Sequence, residues 1–220
     1  EWQERHIQDF SHMVHSTLQT YPQGAVLQVA VADPGGRIVY SSLQPSGVVA
    51  APVSIAEREH FQVHQKNPGT GLFVGPPVQG KVSGQWAVQL SRALYHQGRF
   101  DGVIVLSVSP QYLAGNFRAM FDDPQDVIAL LRDDGPFLAR SYLQEQVLGQ
   151  SVPPERVRLF ADGQLQGRYV TAAPVDGVER MYAWHRVGDS ALVVSAGLER
   201  RGVFAAVDTA IGRSMARNVA

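Results

Sequence analysis

The sequence predicts an α+β fold that consists of two similar modules in tandem, each built on an antiparallel sheet. Three observations support this prediction. Strand-like runs follow one another with turns, rather than full-length helices, between them. A hairpin pattern at 25–42 recurs at 126–142, about 100 residues later in the chain, which indicates an internal repeat. Amphipathic helical patterns stand at both ends, within 1–20 and 199–220.

Composition limits the possible function classes. The chain has 220 residues, 45% of them hydrophobic, which suits one large or two small domains and excludes a disordered tail. A formal charge of -1 argues against the broad basic face of a nucleic-acid-binding protein. The absence of cysteine excludes disulfides, thiolate zinc sites, iron–sulfur clusters and a cysteine nucleophile, and no motif indicates a cofactor. The longest apolar runs, such as 48–53, are far shorter than the roughly 20 residues of a membrane-spanning helix.

The first module begins with a helix and a hairpin. Apolar residues recur every three to five positions from Trp2 to Leu18, which predicts an amphipathic helix. The runs 25–32 and 37–42 are rich in β-branched residues, and Asp33-Pro34-Gly35-Gly36 between them has the composition of a tight turn. The pattern therefore predicts two antiparallel strands.

A second helix is predicted after the loop 43–54. Ser54 and Glu57 have the spacing of a capping box, which predicts a helix from Ser54 to about Gln65, ended by Asn67-Pro68-Gly69. The remaining predicted elements of this module are strands at 72–74, 86–94 and 102–109 and a short helix that Pro110 begins.

The second module repeats this order. Predicted strands at 126–132 and 137–142 flank the turn Asp133-Asp134-Gly135, whose acidic residues we interpret as turn-forming. The later elements are a short helix at 155–160, strands at 167–173, 180–187 and 190–197, and a final amphipathic helix from Glu199. The predicted organisation is thus an N-terminal helix, two modules and a C-terminal helix, at residues 1–20, 21–125, 126–198 and 199–220.

Two local motifs have spacings that are typical of chemical sites. The segment 75–82 has the glycine spacing of a phosphate-binding loop, but its two prolines remove N–H donors and Val82 replaces the magnesium-binding hydroxyl. His60 and His64 lie four residues apart on the predicted helix, a spacing that lets two imidazoles share a metal. Because the HExxH order is absent, a small metal-dependent hydrolase that uses His60 and His64 is an alternative function and not the main prediction.

A series of short motifs between residues 54 and 113 carries a family resemblance. In chain order these are Arg58-Glu59-His60-Phe61, Asn67-Pro68, Gly71 to Val78, Ser83 to Arg92, Phe100 to Val105 and Pro110 to Leu113. They resemble the double Cache family of tandem PAS-like sensor regions, and the order of predicted elements extends the resemblance over the whole chain. Such regions belong to bacterial membrane proteins, including diguanylate cyclases and histidine kinases.

The resemblance implies a place and a role for each part. It implies a periplasmic region of an inner-membrane protein, flanked by two membrane helices outside this chain. The module at 21–125 would lie away from the membrane and hold a small-molecule ligand, and the module at 126–198 would lie near it. The N-terminal helix would support a homodimer, and the C-terminal helix would carry the signal. The region itself would not be an enzyme.

By position, the resemblance also implies the residues around the ligand, which are Arg58, His60, Phe61, Phe73, Trp86 and Ser107. Arg58 is suited to a carboxylate, and the aromatic side chains to an apolar or cationic body. Amino-acid-sensing members resemble Arg-x-Trp-Tyr on the helix with an Asp on the last strand, where this chain has His60, Phe61 and Ser107. A carboxylate, another small polar metabolite, or a ligand-free dimerisation module all stay open.

Overall fold

The fold consists of two compact units, Glu1–Tyr112 and Leu113–Ala220. The computed structural model describes residues 4–49, 51–67, 69–161 and 163–202. Each unit is built on one five-stranded antiparallel sheet.

The first sheet has the order β2-β1-β5-β4-β3. Its hairpin strands β1 and β2 are joined through the turn at 33–36, where the Gly36 N–H donates to the Asp33 carbonyl at 2.9 Å. The elements in chain order are α1 (Glu4–Leu18), β1 (Val26–Ala32), β2 (Ile38–Ser41), α2 (Glu59–Lys66), β3 (Phe73–Gln79), β4 (Trp86–His96), β5 (Arg99–Val108) and α3 (Pro110–Arg118).

The second sheet repeats this arrangement with the order β7-β6-β10-β9-β8. Its elements are β6 (Val127–Arg132), β7 (Phe137–Arg140), α4 (Gln144–Val147), α5 (Pro154–Ala161), β8 (Gln166–Ala172), β9 (Glu179–Arg186) and β10 (Leu192–Glu199). Hairpin, helical segment and three further strands follow one another as in the first unit. The predicted α+β class, with two PAS-like modules and antiparallel sheets, is therefore confirmed.

Strand β1 is apolar along most of its length because both faces of the first sheet are covered. Val29 and Val31 pack with Val14 of α1 on one face, while Ala30 and Ala32 pack on the other. A strand buried on both sides reads as a continuous apolar run rather than as an alternating one.

The apolar face of α1 has a partner within its own unit. Phe10 and Leu18 pack with Val14 against the sheet, and the Phe10 ring meets Tyr40 edge-on with ring centroids 4.8 Å apart. The helix that the resemblance implied as support for a homodimer therefore packs at these positions against the first sheet. Dimerisation stays a prediction.

The predicted capping box at Ser54 is wrong. Helix α2 begins at Glu59, and its N-cap residue Arg58 makes no side-chain capping hydrogen bond. Ser54 forms a β-bridge with Arg37, and the Ile55 N–H donates to the Gly36 carbonyl at 2.8 Å. Pairing with the hairpin satisfies the backbone groups that a helical turn would otherwise have satisfied.

In the second unit, the core packs α5 against the sheet. Phe160 is fully buried and meets the Trp184 ring edge-on at 5.2 Å. A Cβ at Gly167, the neighbour of Trp184 across β8 and β9, would lie under 3.0 Å from the indole, so this position has room only for glycine. The short helix α4 was not predicted from the sequence.

The predicted C-terminal helix falls mostly outside the described residues. Residues 200–202 are helical, and 203–220 are not described. Among the described helices, none combines the length and apolar character needed to span a membrane.

Candidate ligand-binding site

A small cavity lies between α2 and the sheet of the first unit. Its floor comes from strands β1, β4 and β5, and its mouth comes from the residue before α2 and the turn after β3. Its volume is about 30 Å³, which is about the space of one water molecule. The polar or charged residues that line it are Gln28, Arg58, His60, Gln79, Lys81, Gln89 and Ser107.

The structure brings together three of the six residues that the resemblance implied. Arg58, His60 and Ser107 all line this cavity. Their elements explain the convergence, because Arg58 and His60 stand at the start of α2, and Ser107 lies on the central strand β5.

The three aromatic residues of the implied site do not line this cavity. Phe61 is fully buried in the core, with its ring 5.9 Å from Phe100. Phe73 is half-buried and packs edge-on against His64 at 6.4 Å. Trp86 is half-buried at the start of β4, opposite Gln79 of β3. The apolar walls of the cavity are aliphatic instead, and include Ile38, Ile55 and Val105.

The floor of the cavity is a set of buried polar side chains. Ser107 donates its hydroxyl proton to the Gln89 side-chain carbonyl at 2.8 Å, and Gln28 donates to the Ser41 hydroxyl at 2.8 Å. Ser107 is the cross-strand neighbour of both glutamines, which places all three on one face of the sheet. Sequence reasoning missed Gln28 and Gln89. The pattern that could have identified them is a polar glutamine within an otherwise apolar strand.

Two cations line the mouth of the cavity, and both contact the Glu57 carboxylate, which lies outside the lining. Lys81 lies 2.5 Å and Arg58 3.3 Å from the Glu57 carboxylate, and Lys81 also donates to the Ser54 carbonyl at 2.6 Å. The hydrogen bond from Lys81 lowers the pKa of Glu57. The mouth therefore has a net positive charge while the floor is neutral, an arrangement that favours a small anion.

Both histidines of α2 are buried against the sheet. Burial and, to a smaller extent, the charge of Arg58 together lower the pKa of His60 to about 4. Burial also lowers the pKa of His64, whose Nε2 lies 2.9 Å from the Ser91 hydroxyl. His64 Nδ1 is buried and has no hydrogen-bond partner. The shift at His60 means that its imidazole is neutral at pH 7.

The alternative of a metal site requires at least one further ligand beside the two histidines. Within the described residues, no group of three or more His, Asp or Glu side chains is placed to hold a metal ion. The hydrogen bond to Ser91 also occupies one of the two ring nitrogens of His64. These observations leave the hydrolase alternative without structural support in the described part of the chain.

His60 should make the first unit acid-sensitive. Its pKa is lowered on folding from 6.5 to about 4, so the stability it contributes is complete above pH 6.5 and is lost as the pH falls towards 4. The full effect corresponds to about 3 kcal/mol. As the pH is lowered from 7 to 4, we expect the urea midpoint of unfolding to fall less steeply in His60→Gln than in the wild-type domain. Replacing the exposed His96 by Gln is the matched control, and an unchanged slope in His60→Gln would contradict the assignment.

Comparison with known proteins agrees with the two-unit architecture. A family model described as dCache_1_like, a histidine kinase sensor domain, matches residues 113–197. The extracellular domain of rpHK1S-Z16, which is described as a histidine kinase, superposes with a TM-score of 0.72 and 27% identity over 89% of this chain and 78% of that one. The match over residues 113–197 and the shared tandem fold support assignment to the double Cache sensor domains.

More distant solved structures share the fold of this chain. The ligand-binding domain of the Pseudomonas aeruginosa PAO1 amino acid chemoreceptor PctB, in complex with L-Arg, has a TM-score of 0.61 and 13% identity, over 92% of this chain and 81% of that one. The ligand-binding domain of Mlp24 with asparagine has a TM-score of 0.55 and 16% identity, over 90% and 79% of the two chains. No curated protein matches the sequence significantly. The chain thus resembles ligand-binding sensor domains of histidine kinases and chemoreceptors.

Proposed function

We propose that this double Cache domain is the periplasmic sensor region of an inner-membrane signalling protein of the histidine kinase or diguanylate cyclase type. Its first unit lies away from the membrane and binds a small carboxylate. The observation that carries the proposal is the first-unit cavity, with Arg58 and Lys81 at its mouth and a neutral polar floor. The structural relatives described as extracellular sensor domains and receptor ligand-binding domains support it.

The absence of an acidic floor supports a simple carboxylate over an α-amino acid. No described residue that lines the cavity is an Asp or Glu, and Ser107, at the implied acid position, donates to Gln89. An ammonium group would therefore lack a counter-charge inside the cavity. The carboxylate would be bound by Arg58, whose guanidinium is suited to paired hydrogen bonds.

Ligand entry requires the cavity to open, because about 30 Å³ is too small for an organic acid. The contacts that close it are exposed ones, the Lys81 pairing with Glu57 and the Arg58 hydrogen bond to the Gln79 carbonyl at 3.5 Å. Exposed ion pairs contribute little, so a ligand that binds the open form can shift the balance between the two forms. In this proposal the helix that begins at residue 200 transmits the shift through a homodimer.

Arg58→Ala tests this function. We expect acetate, pyruvate, malonate, succinate or glutarate, added as the sodium salt, to raise the Tm of the wild-type domain and to change amide chemical shifts in β4 and β5. Arg58→Ala should raise the Kd of that response by about tenfold, since it removes a charge-assisted pair of hydrogen bonds.

Arg92→Ala is the matched control, because Arg92 is exposed on β4 and its removal changes the net charge equally. If the response in β4 and β5 is the same in Arg58→Ala, Arg58 does not bind the ligand. If no salt produces a response in the first unit, the ligand-free module of the sequence analysis is the better description.

A further inference from the structure

The second unit contains a larger cavity than the first. Its volume is about 250 Å³, and it is lined by residues of β7, α5 and β9 and by the segment that follows β8. Sites for drug-sized molecules have volumes of about 300–1,000 Å³, so this cavity suits a smaller metabolite.

Two buried arginines line this cavity. The exposed fraction is 3% for Arg140 and 8% for Arg156, and no described residue of the lining is acidic. A third arginine, Arg180, is completely buried and shares a carboxylate partner with Arg140. Burying a guanidinium group is costly unless a counter-charge accompanies it, so the partners of each arginine decide what the cavity can bind.

Arg140 and Arg180 share one carboxylate. Arg140 donates to Asp176 at 2.8 Å and also to the Tyr142 carbonyl, and Arg180 donates to both Asp176 oxygens at 2.9 and 3.0 Å. Asp176 is itself 7% exposed. The Asp176 carboxylate thus pairs with two guanidinium groups and is not the counter-charge of Arg156.

Arg156 has no counter-charge in the described part of the chain. Its hydrogen bonds go to neutral groups, the Tyr169 side chain and, at a long 3.4 Å, the Ala172 carbonyl, and no described carboxylate lies within ion-pair distance. A guanidinium has five N–H donors, so most of the hydrogen-bonding capacity of Arg156 is not used by the protein.

Two tyrosine rings hold Arg156 in place. Its guanidinium carbon lies 5.5 Å from the Tyr169 ring centre and 5.6 Å from that of Tyr182, and the two rings stack 4.9 Å apart. Cation–π contacts orient the side chain without neutralising it. Arg156 is therefore a buried, oriented cation at the wall of a cavity.

We propose that the second-unit cavity is a separate binding site for a small organic carboxylate. Arg156 supplies the ion pair, Arg140 adds positive charge, and Phe137, Pro153 and Val175 form an apolar wall for the carbon skeleton. This proposal is independent of the one for the first unit. Substitution of Arg156 tests the second-unit site, and substitution of Arg58 tests the first-unit site.

Arg156→Met tests the site with the five carboxylate salts named above, at about 10 mM and with sodium chloride matched for ionic strength. Methionine keeps an unbranched apolar stem against the tyrosines and removes the charge. We expect at least one salt to bind the wild-type domain in calorimetry and to raise its Tm, while acetamide and succinamide do neither. In Arg156→Met the Kd should rise at least tenfold. Arg158→Met, an exposed position on the same helix, should leave this Kd unchanged.

Two results would overturn the second site. One is the absence of binding by all five salts to the wild-type domain. The other is binding that Arg156→Met leaves intact, and if Arg58→Ala abolishes that same binding, the ligand lies in the first unit alone. If Arg156→Met does not fold, Val175→Phe replaces it, because a larger side chain fills the cavity and keeps every charge. Binding must then be lost in Val175→Phe, and retained binding overturns the proposal equally.

Discussion

Asp176→Asn is expected to lower the free energy of unfolding of the second unit by about 3–5 kcal/mol, because it leaves two buried guanidinium groups without a counter-charge. Asp176 accepts hydrogen bonds from Arg140 and Arg180, and the exposed fractions of these three side chains are 7%, 3% and 0%. Arg180 is held further by its Nε hydrogen bond to the Gln125 carbonyl at 2.5 Å. An amide at position 176 keeps the shape and loses the charge.

The same cluster predicts an acid-dependent loss of stability. Burial raises the pKa of Asp176, but the hydrogen bonds from Arg180 and Arg140 outweigh it and bring the pKa to about 2. A carboxyl whose pKa is lowered on folding contributes stability above its unfolded pKa near 4, and that contribution of about 2 kcal/mol is lost as the pH falls towards 2. The wild-type domain should show this loss between pH 4 and pH 2, and Asp176→Asn should not.

Urea unfolding followed by the fluorescence of Trp184, with Trp2 and Trp86 replaced by Phe, measures the second unit by itself. Glu179→Gln is the matched control, because Glu179 pairs with Arg200 at 3.0 Å on the surface, where both side chains are about half exposed. An exposed pair contributes less than about 1 kcal/mol. Equal losses in Asp176→Asn and Glu179→Gln would show that the buried cluster does not stabilise the unit.

Gly102→Ala should destabilise the first unit by about 4 kcal/mol. Gly102 has φ +119, in the range that favours glycine, and a Cβ there would lie under 3.0 Å from the Ala32 carbonyl oxygen. Ala32 is at the end of β1 and pairs with Val103 of β5, so the clash can be relieved only by moving one central strand away from the other. The cost combines backbone strain with the loss of packing between those strands.

Gly98→Ala separates these two causes. Gly98 also has a positive φ, +75, but no atom lies within 4 Å of its Cβ position, so only backbone strain of about 1–2 kcal/mol is expected. Hydrogen exchange of peptides from β4 and β5 reports on the first unit directly. A cost for Gly102→Ala no larger than that for Gly98→Ala would show that the strand contact tolerates a methyl group.

Local patterns predicted the strands well and one helix start poorly. The strands at 26–32 and 127–132 were recognisable because turn residues bound apolar runs, and both features are local. The capping box at Ser54 failed because Ser54 pairs with Arg37, a residue 17 positions earlier. A local signal is overridden where a long-range pairing satisfies the same backbone groups.

The candidate site was predicted in part for a similar reason. The charged and polar members Arg58, His60 and Ser107 line the cavity, whereas the aromatic Phe61 packs into the core. An aromatic side chain suits a core and a ligand pocket equally well, so its residue type does not distinguish the two. Gln28 and Gln89 were detectable as polar residues inside apolar strands and were overlooked.

The sequence by itself determined the α+β class, the internal repeat and the succession of most strands along the chain, because these depend on periodicity and turn residues that neighbouring positions carry. Only the tertiary structure decided which buried charges have partners. Arg140 lies 36 residues from its partner Asp176 in the chain, and Arg156, which is also buried, has no carboxylate beside it. Pairing of buried charges depends on distances across the fold, and no local pattern encodes those distances.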